Sequence, residues 1–160
     1  EAKPFSLAKS LIFVQSKILT FTYIQRHMEQ DTFLAQVRAK AQGWLTPGYD
    51  SQTRAEVQHL LDAEDSTELV ESFYKDLEFN TRRLRGIMGV GSNRMNRYTV
   101  GAATQGLANY LKQEFASLPE ISVAIGHDCR NNSDVFARIA AEVFSANGIK
   151  VYLFEISSYS

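Results

Sequence analysis

The sequence predicts an α/β fold, and three observations carry that reading. Residues 121–126, Ile121-Ser122-Val123-Ala124-Ile125-Gly126, are β-branched and mostly apolar, as in a strand buried on both faces. Residues 149–154, Ile149-Lys150-Val151-Tyr152-Leu153-Phe154, read as a second strand. Between them Val135, Phe136, Ile139, Ala140, Val143 and Phe144 recur at helical spacing, with Asn132 or Ser133 as cap and Asn147-Gly148 as stop. Strand, helix and strand at these lengths predict a right-handed, parallel βαβ unit.

The elements before that unit are mostly helices. Residues 7–24 are fairly apolar, but Lys9, Gln15 and Lys17 interrupt them, which is too broken for a membrane span and poor for a secretory signal. An amphipathic anchor is the other reading of this stretch. The first methionine is Met28, and a helical pattern follows it in Phe33, Leu34, Val37, Ala41, Trp44 and Leu45. Residues 1–27 are therefore expected to be an extension foreign to the domain that follows. Thr46-Pro47-Gly48 makes a turn, and Asp50 caps a helix striped by Val57, Leu60 and Leu61, with Thr53 and Glu56 at capping-box spacing nearby. Ser66 opens another helix, with Leu69, Val70, Phe73, Tyr74 and Leu77 as its buried face.

Residues 77–96 then form a strand, loop and strand rich in arginine and glycine. Arg82, Arg83, Arg85, Arg94 and Arg97 follow one another with no acid between them, while residues 56–78 are acidic. Gly86, Gly89 and Gly91 let the backbone approach a ligand closely, and guanidinium forks with free backbone N–H groups suit a phosphate. A solvated hairpin with a basic outer face fits the same composition. Asn96 caps a longer helix faced by Val100, Ala103, Leu107, Tyr110, Leu111 and Phe115, and Leu118-Pro119 ends it.

Composition bounds the rest. The 160 residues are 44% hydrophobic and 22% charged, the balance of one globular domain with a real core. A net charge of −1 gives no global pull toward nucleic acid or membrane, so neither is expected as a partner. The lone Cys129 allows no internal disulfide and fits a reducing, cytoplasmic compartment. His27, His59 and His127 are scattered, so neither a Ser–His–Asp triad nor a zinc site can be argued. Gly89-Val90-Gly91-Ser92-Asn93-Arg94 lacks the third glycine of a dinucleotide fingerprint, and there is no Walker lysine. Ligands in open α/β sheets bind beyond the carboxyl ends of strands, which places Asp128 and Arg130 at a functional edge unless they merely pair and cap the next helix.

Several motifs in order resemble the α-D-phosphohexomutases, the phosphoglucomutase/phosphomannomutase superfamily, and within it a phosphopentomutase-like branch. They are Trp44-Leu45 with Asp50 and Thr53, then Leu77-Glu78-Phe79, Thr81 and Leu84-Arg85-Gly86-Ile87-Met88-Gly89-Val90-Gly91. Ser92-Asn93-Arg94-Met95-Asn96, Thr104-Gln105-Gly106, Tyr110-Leu111, Ile125-Gly126-His127-Asp128-Cys129-Arg130 and Gly148 to Phe154 continue them. The resemblance implies a partial three-layer α/β/α domain I with a mixed sheet over residues 28–155, preceded by helices and followed by a divergent tail, 156–160. It implies phosphoryl transfer between the 1- and 6-positions, or 1- and 5-positions, of a sugar phosphate, from a phosphoserine with Mg²⁺ against it. The family's Phe-Gly-Thr-x-Gly-x-Arg loop contacts phosphate, and its counterparts here are Thr81, Arg85 and Gly86.

Two departures qualify that expectation. Asn80 and Arg83 stand where the family loop has glycine, and Arg82 where it has a small residue, so the loop is either reshaped or under no demand to work. The serine motif, Thr-Ala-Ser-His-Asn-Pro, is absent from the 160 residues, and Ser157, Ser158 and Ser160 lack its context. The expectation is a fragment of a cytoplasmic mutase with no catalytic nucleophile, no metal of its own and no turnover. A non-catalytic anion-binding or interaction module is the alternative.

Overall fold

A computed structural model describes residues 25–80 and 83–155. Residues 1–24, most of the expected extension, and the tail at 156–160 with Ser157, Ser158 and Ser160 lie outside the described residues. The chain forms two compact units, one ending at Phe73 and one beginning at Tyr74. Among the described residues no helix is long and apolar enough to cross a membrane.

The first unit is helical. Helix α1 covers 25–42 and so takes in residues upstream of Met28, where the apolar pattern had placed its start. It is followed by a 3-10 turn, Gly43–Leu45. Helix α2, Ser51–Asp62, begins as the sequence predicts: Asp50 accepts from the Thr53 amide at 2.9 Å and from the Thr53 hydroxyl at 2.8 Å. Glu56 takes no part in that cap and instead accepts from Gln52 at 2.9 Å. Helix α3, Thr67–Phe73, is shorter than its apolar stripe implied. Leu69 and Phe73 are fully buried, but Tyr74 is exposed and the Leu77 amide donates to the Ser92 carbonyl at 2.8 Å. The second unit claims that amide, so the helix ends. Val37, Ala41, Trp44 and Val57 complete the core, and the Trp44 ring stacks on Tyr49 at 4.5 Å and meets Phe73 edge-on at 5.5 Å.

The second unit holds both sheets. Strands β1, Phe79–Asn80, and β2, Arg83–Leu84, pair antiparallel, with Asn80 opposite Arg83. Helix α4, Arg97–Glu114, follows, then β3, Ser122–His127, helix α5, Ser133–Ala146, and β4, Lys150–Glu155. Strands β3 and β4 are parallel, from Ser122 opposite Lys150 to His127 opposite Glu155, as the βαβ reading requires. Helix α5 ends in a Schellman motif: the Ile149 amide donates to Phe144 and the Gly148 amide to Ser145, both at 3.0 Å, with Gly148 at φ 75°.

Three expectations need correction here. Among the described residues the strands form two separate sheets, the hairpin and the parallel pair, and not one mixed sheet; each hairpin strand is two residues long. The parallel strands are not buried on both faces. Ile121, Val123, Ile125 and Val151 pack on a core of Ala108, Phe144 and Ile149, while Ser122, Ala124, Gly126, Tyr152 and Phe154 face outward and are exposed. Among the described residues the layering is therefore helices on one face of the parallel pair, a partial α/β arrangement. Finally, α4 turns Val100, Thr104, Ala108 and Leu111 inward, not Leu107 and Tyr110, which stay 47% and 56% exposed. Thr104 and Ala108 are small enough to let the helix approach closely, and a Cβ added at Gly101 would meet Ile139 Cγ2 at an ordinary 3.8 Å.

Candidate functional site

The candidate site begins where β2 ends. Arg85 follows Leu84 directly and is exposed, so its guanidinium is presented to solvent from the base of a hairpin. Gly86 comes next. A Cβ there would lie 2.7 Å from the Leu77 Cδ1 and 3.4 Å from the Met95 Cγ, and the residue has no positive φ. Leu77 and Met95 thus pack against Gly86, and an added methyl would require the tip of Leu77 to shift. Thr81 and Arg82 lie outside the described residues. Asn80 and Arg83 are paired strand residues, and Asn132 alone among the described non-glycine residues has positive φ. Asn80 and Arg83 are thus accommodated as extended, antiparallel strand residues.

From 87 to 96 the chain is knotted by one side chain. The Asn96 Nδ2 donates to the carbonyls of Gly89, Gly91 and Arg94 at 3.0, 2.9 and 3.3 Å. Its Oδ1 accepts from the amides of Tyr98 and Thr99, both at 3.0 Å, and the Thr99 hydroxyl accepts from the Asn96 amide in return. The cap predicted for α4 is thus also the organiser of the loop before it. Ser92 is buried and donates to the Lys75 carbonyl at 2.6 Å, fixing the loop to the chain that enters the hairpin.

This geometry narrows the anion-binding expectation. The amides of Gly89, Arg94 and Met95 donate to loop carbonyls, of Met95, Gly91 and Ile87 respectively. Those three do not point at a ligand. Arg94 is 5% exposed and belongs to the interior, whereas Arg85 and Arg97 are exposed, Arg97 lying 5.9 Å over the Tyr98 ring. Among the described residues, Arg85 and Arg97 offer exposed guanidinium groups, and Arg85 is the one next to Gly86. A planar fork there suits a phosphate or carboxylate.

Asp128 and Arg130 lie at the carboxyl end of β3, as expected, and they pair. The Asp128 Oδ2 accepts from the Arg130 Nε at 2.8 Å, and its Oδ1 from the Arg130 amide at 3.1 Å. The Ser133 hydroxyl accepts from the Asp128 amide at 3.3 Å. Asn132 occupies the cap position of α5 at φ 61° but makes no capping bond; its Nδ2 donates instead to the Met88 Sδ at 3.2 Å. That contact joins the arginine–glycine loop to the loop after β3. The sequence offers Asn132 only as a cap and Met88 only within a motif, with nothing to relate the two. The available signal was Asn131-Asn132 after a strand, since asparagine tolerates the left-handed region.

The Arg130 amide holds the Asp128 carboxyl below its ordinary range, with the Arg130 side chain a lesser cause. Because the folded value is depressed, the contribution is present above the unfolded carboxylate pKa and is lost as pH falls through the folded one. Arg130→Ala should therefore leave most of the depression in place. A carboxyl titration followed by NMR should show Asp128 still below an ordinary aspartate in that variant; a return to the ordinary value would assign the shift to the guanidinium. Among the described residues no three His, Cys, Asp or Glu side chains converge.

Comparison with known proteins places these elements. Residues 76–159 match the family model described as Phosphoglucomutase/phosphomannomutase, alpha/beta/alpha domain I. The chain is 42% identical over 112 residues to a probable phosphoribomutase of Schizosaccharomyces pombe, and 38% identical over 117 residues to a phosphopentomutase of Homo sapiens. These matches cover 70% and 69% of the chain but 19% of each relative. A phosphoglucomutase of Staphylococcus haemolyticus is 37% identical over 95 residues, 59% of the chain and 17% of that protein. No solved structure matches the chain. The hairpin, Arg85, the Asn96 knot and the βαβ unit all fall inside the one matched stretch, and the chain belongs to the phosphoglucomutase/phosphomannomutase family through its alpha/beta/alpha domain I.

Proposed function

We propose that this chain is the arginine-loop part of the first domain of a phosphomutase, an enzyme that moves a phosphoryl group between two positions of one sugar phosphate. Relatives named for pentose, ribose and glucose phosphates support the reaction class and leave both the 1,6 and the 1,5 transfer within it. The observation that carries the reading is the exposed Arg85 at the end of β2, backed by the packed Gly86 and followed by the Asn96-tied loop. Arg85, with Thr81 and Gly86, is the phosphate-facing loop; Asp128 and Arg130 form the neighbouring edge. In the parent enzyme Mg²⁺ would screen the transferring charge from a loop beyond these residues, and a cytoplasmic setting suits a sugar-phosphate substrate.

The chain's own part in that chemistry is positioning and charge. A guanidinium lowers a transition state only where a transferring group is present, and can then be worth about 10³–10⁵ in rate. The Thr-Ala-Ser-His-Asn-Pro nucleophile motif is not among the 160 residues. The 160 residues alone therefore bind a sugar phosphate without turning it over, and in this they act as an anion-binding module. Incubation with glucose 1-phosphate or ribose 1-phosphate, Mg²⁺ and the bisphosphate activator should give background conversion only. Calorimetric binding of the same sugar phosphates should weaken about 10- to 100-fold in Arg85→Ala, the weight of hydrogen bonds to a charged group. Binding indifferent to Arg85→Ala would remove the site. Turnover abolished by it would overturn the absence of a nucleophile.

A further inference from the structure

We propose that Asn147-Gly148 is a latent deamidation site that Gln105 holds shut. It is the single Asn-Gly step in the sequence. Glycine after asparagine leaves the following amide unhindered, and Gly148 is exposed at φ 75°. In the reaction the Gly148 nitrogen attacks the Asn147 Cγ. The N–Cγ bond forms, the amide proton leaves, the Cγ–Nδ2 bond breaks, and ammonia departs from a cyclic succinimide. Water then opens the ring to aspartate or isoaspartate. No oxidant, metal or cofactor enters the balance.

The structure restrains both reacting groups. Asn147 and Gln105 exchange amide hydrogen bonds across α5 and α4: Asn147 Nδ2 donates to Gln105 Oε1 at 2.8 Å, and Gln105 Nε2 donates to Asn147 Oδ1 at 3.0 Å. Asn147 Nδ2 also donates to the Val143 carbonyl at 2.8 Å. The attacking nitrogen is engaged as well, its N–H donating to Ser145 at 3.0 Å. Attack needs the side-chain amide to turn and the Gly148 amide to leave its partner. Gln105 reaches across from the neighbouring helix, so it is the part of this restraint that a surface substitution can remove while the Schellman bonds stay.

The product would matter to the fold. A carboxylate at this position sits at the negative end of α5. An isoaspartate adds a methylene to the backbone between α5 and the Gly148 and Ile149 amides that close it, and Ile149 is 3% exposed in the core. The modification therefore loosens the crossover between α5 and β4.

The test is ageing of the purified chain in mildly alkaline buffer. Mass spectrometry of the peptide spanning Asn147-Gly148 follows conversion, with isoaspartate methylation as a second readout. Conversion should be slow in the folded native chain and fast in the urea-unfolded chain. It should be about tenfold faster in folded Gln105→Ala, the order of weight of one to two net hydrogen bonds. Gln105→Glu, which can still accept from Asn147 but cannot donate to it, should fall between. Peptides carrying Asn131 and Asn132 serve as internal references and should not change. Circular dichroism establishes that each variant is folded; if Gln105→Ala is not, Gln105→Glu and the folded-against-unfolded comparison decide. Equal rates in native and unfolded chain, or in native and the folded Gln105 variants, would overturn the proposal.

Discussion

Replacing Phe144 by alanine should remove about 3–5 kcal/mol from the second unit, the usual cost of deleting a buried aromatic ring. The ring is 5% exposed, and with Ala108 and Ile149 it forms the centre on which Leu111, Ile121, Val123, Ile125 and Val151 converge. Both strands and both long helices therefore border the cavity that truncation would leave. The Phe144 carbonyl would still accept from the Ile149 amide, so the helix stop survives and the loss is one of packing. Phe144→Leu should cost about 1–1.5 kcal/mol, since most of the volume is kept. Phe154, 58% exposed on the outer face of the same sheet, should tolerate alanine within about 0.5 kcal/mol. Urea unfolding of the three variants would measure the order. Equal losses at 144 and 154 would mean that the outer face carries as much packing as the inner one. A loss of this size is a large share of the about 5–15 kcal/mol that holds a whole domain folded.

Asn96→Ala should cost about 2–3 kcal/mol, combining a lost helix cap with the donor withdrawn from three loop carbonyls. The alternative is a cap and nothing more, with a cost near 1 kcal/mol. Asn96→Asp separates the two. Its carboxylate can still accept from the amides of Tyr98 and Thr99, and it suits the positive end of α4. Its second oxygen would instead face the carbonyls of Gly89, Gly91 and Arg94, which now sit about one hydrogen bond away from an amide nitrogen. Those dipoles disfavour the charged form, so the folded-state pKa of the new aspartate should rise above its unfolded value of about 3.9. The sign follows: the folded state then holds more protons than the unfolded, and stability falls as pH rises through that window. Asn96→Asp should thus gain stability relative to the native chain on acidification. A loss of stability relative to the native chain on acidification, the behaviour of an aspartate held by a helix cap alone, would show that the amide is only a cap.

Several local signals in the sequence hold in the structure, although Asn132 makes no capping bond and Glu56 takes no part in the α2 cap. Asp50 and Asn96 cap, Asn147-Gly148 stops α5, and the β-branched runs pair in parallel, because each depends on chemistry within one turn or one strand. What was not legible depends on distant contacts. Of the face expected for α4, Val100 and Leu111 do turn inward, but Thr104 and Ala108 take the places expected for Leu107 and Tyr110, since close approach there favours small side chains. Burial of Arg94 ran against its charge, and no periodicity marks it. Arg85 was singled out through the family resemblance and Asp128 with Arg130 by their place after a strand; the structure puts Arg85 on an exposed stretch and pairs Asp128 with Arg130. The contact between Met88 and Asn132 was not legible, because it joins two loops that neither propensity nor spacing relates.

The parallel register of β3 and β4 also dictates an order of events during folding. Asn80 and Arg83 pair across a short separation in sequence, whereas Ser122 can meet Lys150 only after the whole of α5 has been laid between them. Closing the longer loop costs more chain entropy before any contact repays it, so the hairpin and the two long helices form on a faster clock than the sheet. Until β4 arrives, Phe144 and the inner residues of β3 have no Ile149 or Val151 to cover them. On a ribosome that interval lasts from the emergence of α5 to the emergence of β4. During it the nascent chain shows its stickiest surface to whatever holdase is near.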